Sequence, residues 1–155
     1  MAVYKGITHS NLKAINFEAD TATITQLNVT DSVLSTRKRF TIAEVNAGAT
    51  LVAAVAGKSI RMVNCKAIAV GGAAAAVTTV DVLGTVSTSR KLVAFAQANL
   101  TQSAVLTAGG TGAAVLADGA SYTANDAGTA VTVGKTGSNV TTATHIDVIF
   151  DYVLE

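Results

Sequence analysis

Apolar and polar residues alternate most cleanly at the end of the chain. Ile146, Val148, Phe150, Tyr152 and Leu154 fall on one side of an extended segment, and His145, Asp147, Asp151 and Glu155 fall on the other together with Ile149 and Val153. A period of two is the signature of a strand with one buried face. From Phe40 onward the same texture recurs as short runs of Val, Ala, Ile and Thr. They are separated by Gly or Asn/Asp punctuation at 46–48, Gly57, Gly71-Gly72, Gly84, 109–112, Asp118-Gly119, 125–128 and 134–137. Turn signals spaced about 8–15 residues apart, with no sustained helical period, predict an all-β domain, a sandwich or barrel of antiparallel strands. The runs place strands near 39–45, 50–56, 58–70, 76–84, 90–98, 102–107, 112–117, 129–133 and 143–154. Ala73–Ala76 lies between Gly-Gly and a β-branched run, both poor helix contexts, and reads as a tight crossover.

Residues 1–39 have a different texture. They carry 5 of the 11 Lys and Arg residues, including Arg37-Lys38-Arg39, and few apolar runs. They read as an extended N-terminal arm in front of a β-domain spanning 40–155. Within the arm, Leu27 and Val29 alternate with polar neighbours and could add a strand to a sheet edge, in the same body or a neighbouring one. The basic run reads as a solvated turn face or as a contact for an acidic partner. Arg37, Lys38, Arg39, Leu27 and Val29 are therefore the candidate partner-contact residues.

Composition narrows the class. Half of the 155 residues are hydrophobic, yet aromatics are 5%, charged residues 14%, and Trp and Pro are absent. Ala and Val interleaved with Thr and Gly suit thin, closely layered sheets better than a deep pocket. A formal charge of +1 leaves no broad basic footprint, so neither nucleic acid nor a membrane surface is expected as a partner. A mean hydropathy of +0.46 implies apolar surface beyond the needs of one core, which points to assembly. The single Cys65 excludes an internal disulfide and reads as a small buried hydrophobe. Met-Ala-Val-Tyr-Lys-Gly at the start has no signal-peptide pattern. The stretch 67–84 is broken by Asp81 and Gly71-Gly72, and reads as strand, turn and strand rather than a membrane span.

No spacing of residues completes a catalytic constellation. Gly57-Lys58-Ser59 and Gly134-Lys135-Thr136 resemble the end of a phosphate loop, but positions 52 and 129 are Val and Thr where that loop needs glycine. His145 and Asp147 share a strand face and could pair, but no serine is singled out to complete a triad. Two histidines and one cysteine do not make a zinc site, and the segment between Asp118 and Asp126 lacks the ligand spacing of a calcium loop. No enzymatic activity, metal or cofactor is expected.

The blocks Phe40-Thr-Ile-Ala-Glu-Val-Asn-Ala-Gly48, Gly57-Lys-Ser-Ile-Arg-Met-Val63, the Gly71-Gly72-Ala crossover, Asp81-Val-Leu-Gly84, Leu116-Ala-Asp-Gly-Ala120, Val133-Gly-Lys-Thr-Gly137 and the final Ile146–Val153 strand resemble small virion proteins of tailed bacteriophages. The set looks most like head decoration, or cement, proteins. That resemblance implies a jelly-roll-like antiparallel β-sandwich, commonly a homotrimer, sitting on the capsid exterior and bracing the major capsid protein. It carries over no catalytic residues. Other virion roles, a tail-tube subunit or a host-recognition module of a tail or fibre, are the alternative.

Overall fold

The computed structural model describes residues 32–107, 115–116 and 124–155. Nine strands occur among them: β1 (Leu34–Thr41), β2 (Ala49–Val52), β3 (Ile60–Val70), β4 (Ala74–Val86), β5 (Thr88–Ala96), β6 (Val105–Thr107), β7 (Val115–Leu116), β8 (Val131–Thr142) and β9 (His145–Leu154). A short helix α1 (Ile42–Ala47) links β1 to β2. The protein is all-β, and every pairing between named strands is antiparallel.

The strands form a four-stranded sheet in the order β1-β9-β3-β6 and a five-stranded sheet in the order β2-β8-β4-β5-β7. The chain alternates between them, so consecutive strands mostly lie in opposite sheets. The pairings nest: β1 with β9, β2 with β8, β3 with β6 and β4 with β5. The long ribbon is closed laterally by β9 on β3 and β8 on β4.

One hydrophobic core joins the sheets. Phe40, Cys65, Ala67, Ile146, Val148 and Phe150 from the first sheet meet Val80, Val82, Val93, Phe95, Val131 and Val133 from the second, all fully buried. The alternation expected for β9 is obeyed: Ile146, Val148 and Phe150 face this core. Valines predominate among three phenylalanines in the layer between the sheets, and facing sheets ordinarily sit about 10 Å apart.

Three expectations are corrected. The arm was expected to run to residue 39, but residues 34–39 already belong to β1, paired with β9 along its whole length. The same pairing moves Arg37-Lys38-Arg39 from an expected turn into a strand. The strand expected over 39–45 ends at Thr41, where α1 begins. Thr41 and Glu44 make a reciprocal capping box: the Glu44 amide donates to Thr41 Oγ1 (3.3 Å) while the Thr41 amide donates to Glu44 Oε2 (2.7 Å). This satisfies donors at the helix start and lets Val45 drop into the core. Third, Gly134–Gly137 is not a turn but the middle of β8. Gly137 adopts φ +86, opposite a register shift in β4, and a Cβ there would press on the backbone and side chain of Thr78. The glycine marks a bulge where two backbones approach closely. Leu27 and Val29 lie outside the described residues.

Candidate contact face on the four-stranded sheet

Strand periodicity splits the basic run. Phe40, between Arg39 and Thr41, points into the core, so Arg37 and Arg39 stand on the opposite, outer face. Lys38 shares the inner side, at the sheet edge, where its ammonium donates to the Thr50 carbonyl of β2 (2.6 Å) and lies 5.1 Å from the Phe40 ring centroid. It ties the edges of the two sheets together, with a cation–π contact added.

The outer face is assembled by register. Ser35, Arg37 and Arg39 of β1 oppose Asp151, Ile149 and Asp147 of β9, which in turn oppose Asn64, Lys66 and Ile68 of β3. Val105 and Thr107 of β6 complete the row beyond Ile68 and Lys66. The centre of this face is Asp147. It sits directly opposite Arg39, whose Nε and Nη2 reach its two oxygens at 2.6 and 2.9 Å. Arg37, one step diagonal, donates from Nη2 to Oδ2 at 2.8 Å. The two guanidiniums lie over the carboxylate, which is only 2% exposed although its partners are 65% and 54% exposed.

This geometry sets the electrostatics. The hydrogen bond from Arg39 holds the Asp147 carboxyl down to about 2 against the opposing effect of burial, and Arg37 adds to it. The same contact raises the Arg39 pKa. Two cations on one anion leave a formal surplus of one positive charge, carried by two planar guanidiniums that are both more than half exposed. Bidentate pairing pre-orders long side chains that would otherwise lose rotamer freedom on contact with a partner. On the same strands, Ser35 donates its hydroxyl to Asp151 (2.6 Å), and further along, at the far end of β9, the fork of Arg61 holds Glu155 (2.7 and 2.9 Å). Val63 and Val105 are exposed on β3 and β6.

The structure thus brings Arg37 and Arg39 together and sets Lys38 apart. Asp147 was not among the candidate contact residues read from the sequence, where it was weighed only as a possible neighbour of His145 on one strand face. Its oxygens are taken by the arginines, while His145 Nδ1 contacts Thr144 Oγ1 at 3.1 Å. A basic-x-basic pair on one strand facing an acid flanked by apolar residues on another is a cross-strand signal, but it connects residues 108 apart in the chain. Burial pushes the Cys65 thiol up to about 12, in keeping with a packing role. Among the described residues no cluster of three or more His, Cys, Asp or Glu could hold a metal.

The class that fold and face define is a two-sheet antiparallel β-protein with a charged, pre-ordered outer surface. No family model matches the chain, and no curated protein or solved structure matches it either.

Proposed function

We propose that this chain is a structural virion protein: a jelly-roll subunit that binds the exterior of a phage capsid as an oligomer, a homotrimer by preference, and stabilises the major capsid protein lattice. The observation that carries the reading is the nested pairing of β1/β9, β2/β8, β3/β6 and β4/β5, with β7 as an appended edge strand. Wrapping such a four-pair ribbon into two sheets gives the double Greek key of jelly rolls, an architecture much used in viral shells. The resemblance of the sequence blocks to decoration proteins supports the same class.

Mechanistically, a protein that binds only the assembled lattice biases the equilibrium toward the intact shell. A symmetric trimer engages several lattice subunits at once, so modest single contacts multiply. The Arg37/Arg39 face is the surface of choice for an acidic patch of the capsid. The alternative, a host-recognition module, would use exposed aromatic rings for sugar stacking. Among the described residues, Phe40, Phe95 and Phe150 are instead fully buried, and Tyr152 packs against the core.

The test is addition of purified protein to expanded capsids lacking it. Saturable binding at lattice positions and a raised temperature of capsid disruption are expected. Capsids that neither bind it nor gain heat resistance would refute the proposal, and stacked rings or fibre tips in electron micrographs of the native assembly would replace it with a tail role.

A further inference from the structure

We infer that Lys91 and Asp81 form an intramolecular amide cross-link between β4 and β5; this stands apart from the virion reading and is tested separately. Asp81 lies on β4 between Gly134 of β8 and Ala94 of β5, and is 1% exposed. Thr136 donates its hydroxyl to Oδ2 at 2.6 Å, and the Lys91 ammonium lies 3.6 Å from that same oxygen. Oδ1 is buried and, among the described residues, has no hydrogen-bond partner.

The contrast with the other ion pairs carries the inference. Arg39 on Asp147 and Arg61 on Glu155 each occupy both carboxylate oxygens. Asp81 has one oxygen held by a hydroxyl, an amine approaching from the neighbouring strand, and one oxygen that no described residue hydrogen-bonds. A buried carboxylate oxygen with no partner is costly. Condensation with the amine removes both the charge and that atom.

The step balances without a co-reactant. Lys91 Nζ gives one proton to Asp81, leaving a neutral amine and a carboxylic acid protonated on Oδ1. The nitrogen lone pair attacks Cγ, and the Thr136 hydroxyl holds the negative charge developing on Oδ2, as a preorganised donor does in acyl transfer. The Cγ–Oδ1 bond breaks, and Oδ1 departs as water carrying its own proton and one from nitrogen. Thr136 then donates to the amide oxygen. Proximity supplies the driving geometry, because the amine and carboxyl are held on adjacent strands. The product would lock the β4–β5 hairpin within the five-stranded sheet.

Intact-mass measurement tests this on the full chain, both fresh and after days at growth temperature. A species lighter than the sequence mass by one water is expected. Trypsin should then release residues 67–90 joined to residues 91–135, because those stretches hold Asp81 and Lys91 and contain no internal site other than Lys91 itself. Lys91→Arg should restore the full mass, and Asp81→Asn should change the loss from water to ammonia. Full sequence mass throughout, or a one-water loss that persists in Lys91→Arg, overturns the inference. If a variant does not fold, the branched peptide of the unaltered protein decides alone.

Discussion

Replacing Asp147 by Asn removes one negative charge from beneath two guanidiniums while preserving shape. In the folded protein the Asp147 carboxyl titrates at about 2, against 3.8 for an unperturbed side chain. A folded pKa below the unfolded one favours the native state wherever the carboxylate is ionised, and linkage converts this gap to roughly 2.5 kcal/mol at neutral pH. Both arginines are more than half exposed, and solvent screening of their charge trims the expected contribution to about 1–2 kcal/mol. That stability should be fully present above about pH 5, decline as pH falls through 3.8, and vanish below the folded value of about 2. The assay is urea denaturation of the unaltered protein and Asp147→Asn across this range. The two midpoints should differ at neutral pH and converge in acid, where the protonated acid and the amide carry the same charge. A pH-independent difference, or a gap that closes well above about pH 5, would refute the assignment of Asp147 as an ionised anchor.

The remaining predictions concern packing and capping. Cys65, with its thiol pushed up to about 12, should resist alkylation in the native protein at about pH 8 and react readily in denaturant; equal rates in both states would contradict its burial. Thr41→Ala removes the side-chain acceptor of the capping box and should cost about 1 kcal/mol by chemical denaturation, with an unchanged midpoint as the contrary result. Gly84→Ala would drive a methyl into the buried Asn125 carboxamide and should destabilise by roughly 1–3 kcal/mol, whereas a neutral effect would mean that Asn125 moves aside freely.

Much of the fold is legible locally. The alternation in 145–154 identifies the strand and its core face, because a strand's side chains repeat every two residues whatever it pairs with. The runs near 58–70, 76–84 and 90–98 coincide closely with β3, β4 and β5. Glycines mislead where their role is long-range: Gly137 reads as a turn, but its φ of +86 serves a bulge against Thr78. The Thr41-x-x-Glu44 box was a readable helix start, masked by the β-branched residues around it.

By itself, then, the amino-acid order determined an all-β chain rich in small residues, a core-facing Phe150, a buried Cys65 and a basic run at residues 37–39. Tertiary structure alone decided which strand each run would meet. Setting β1 beside β9 turned three consecutive cations into two arginines on a buried aspartate and one lysine bridging to Thr50. The physical reason is that strand periodicity is local, whereas register and partner are chosen by which long-range pairing buries the most apolar surface and leaves the fewest polar groups unpaired.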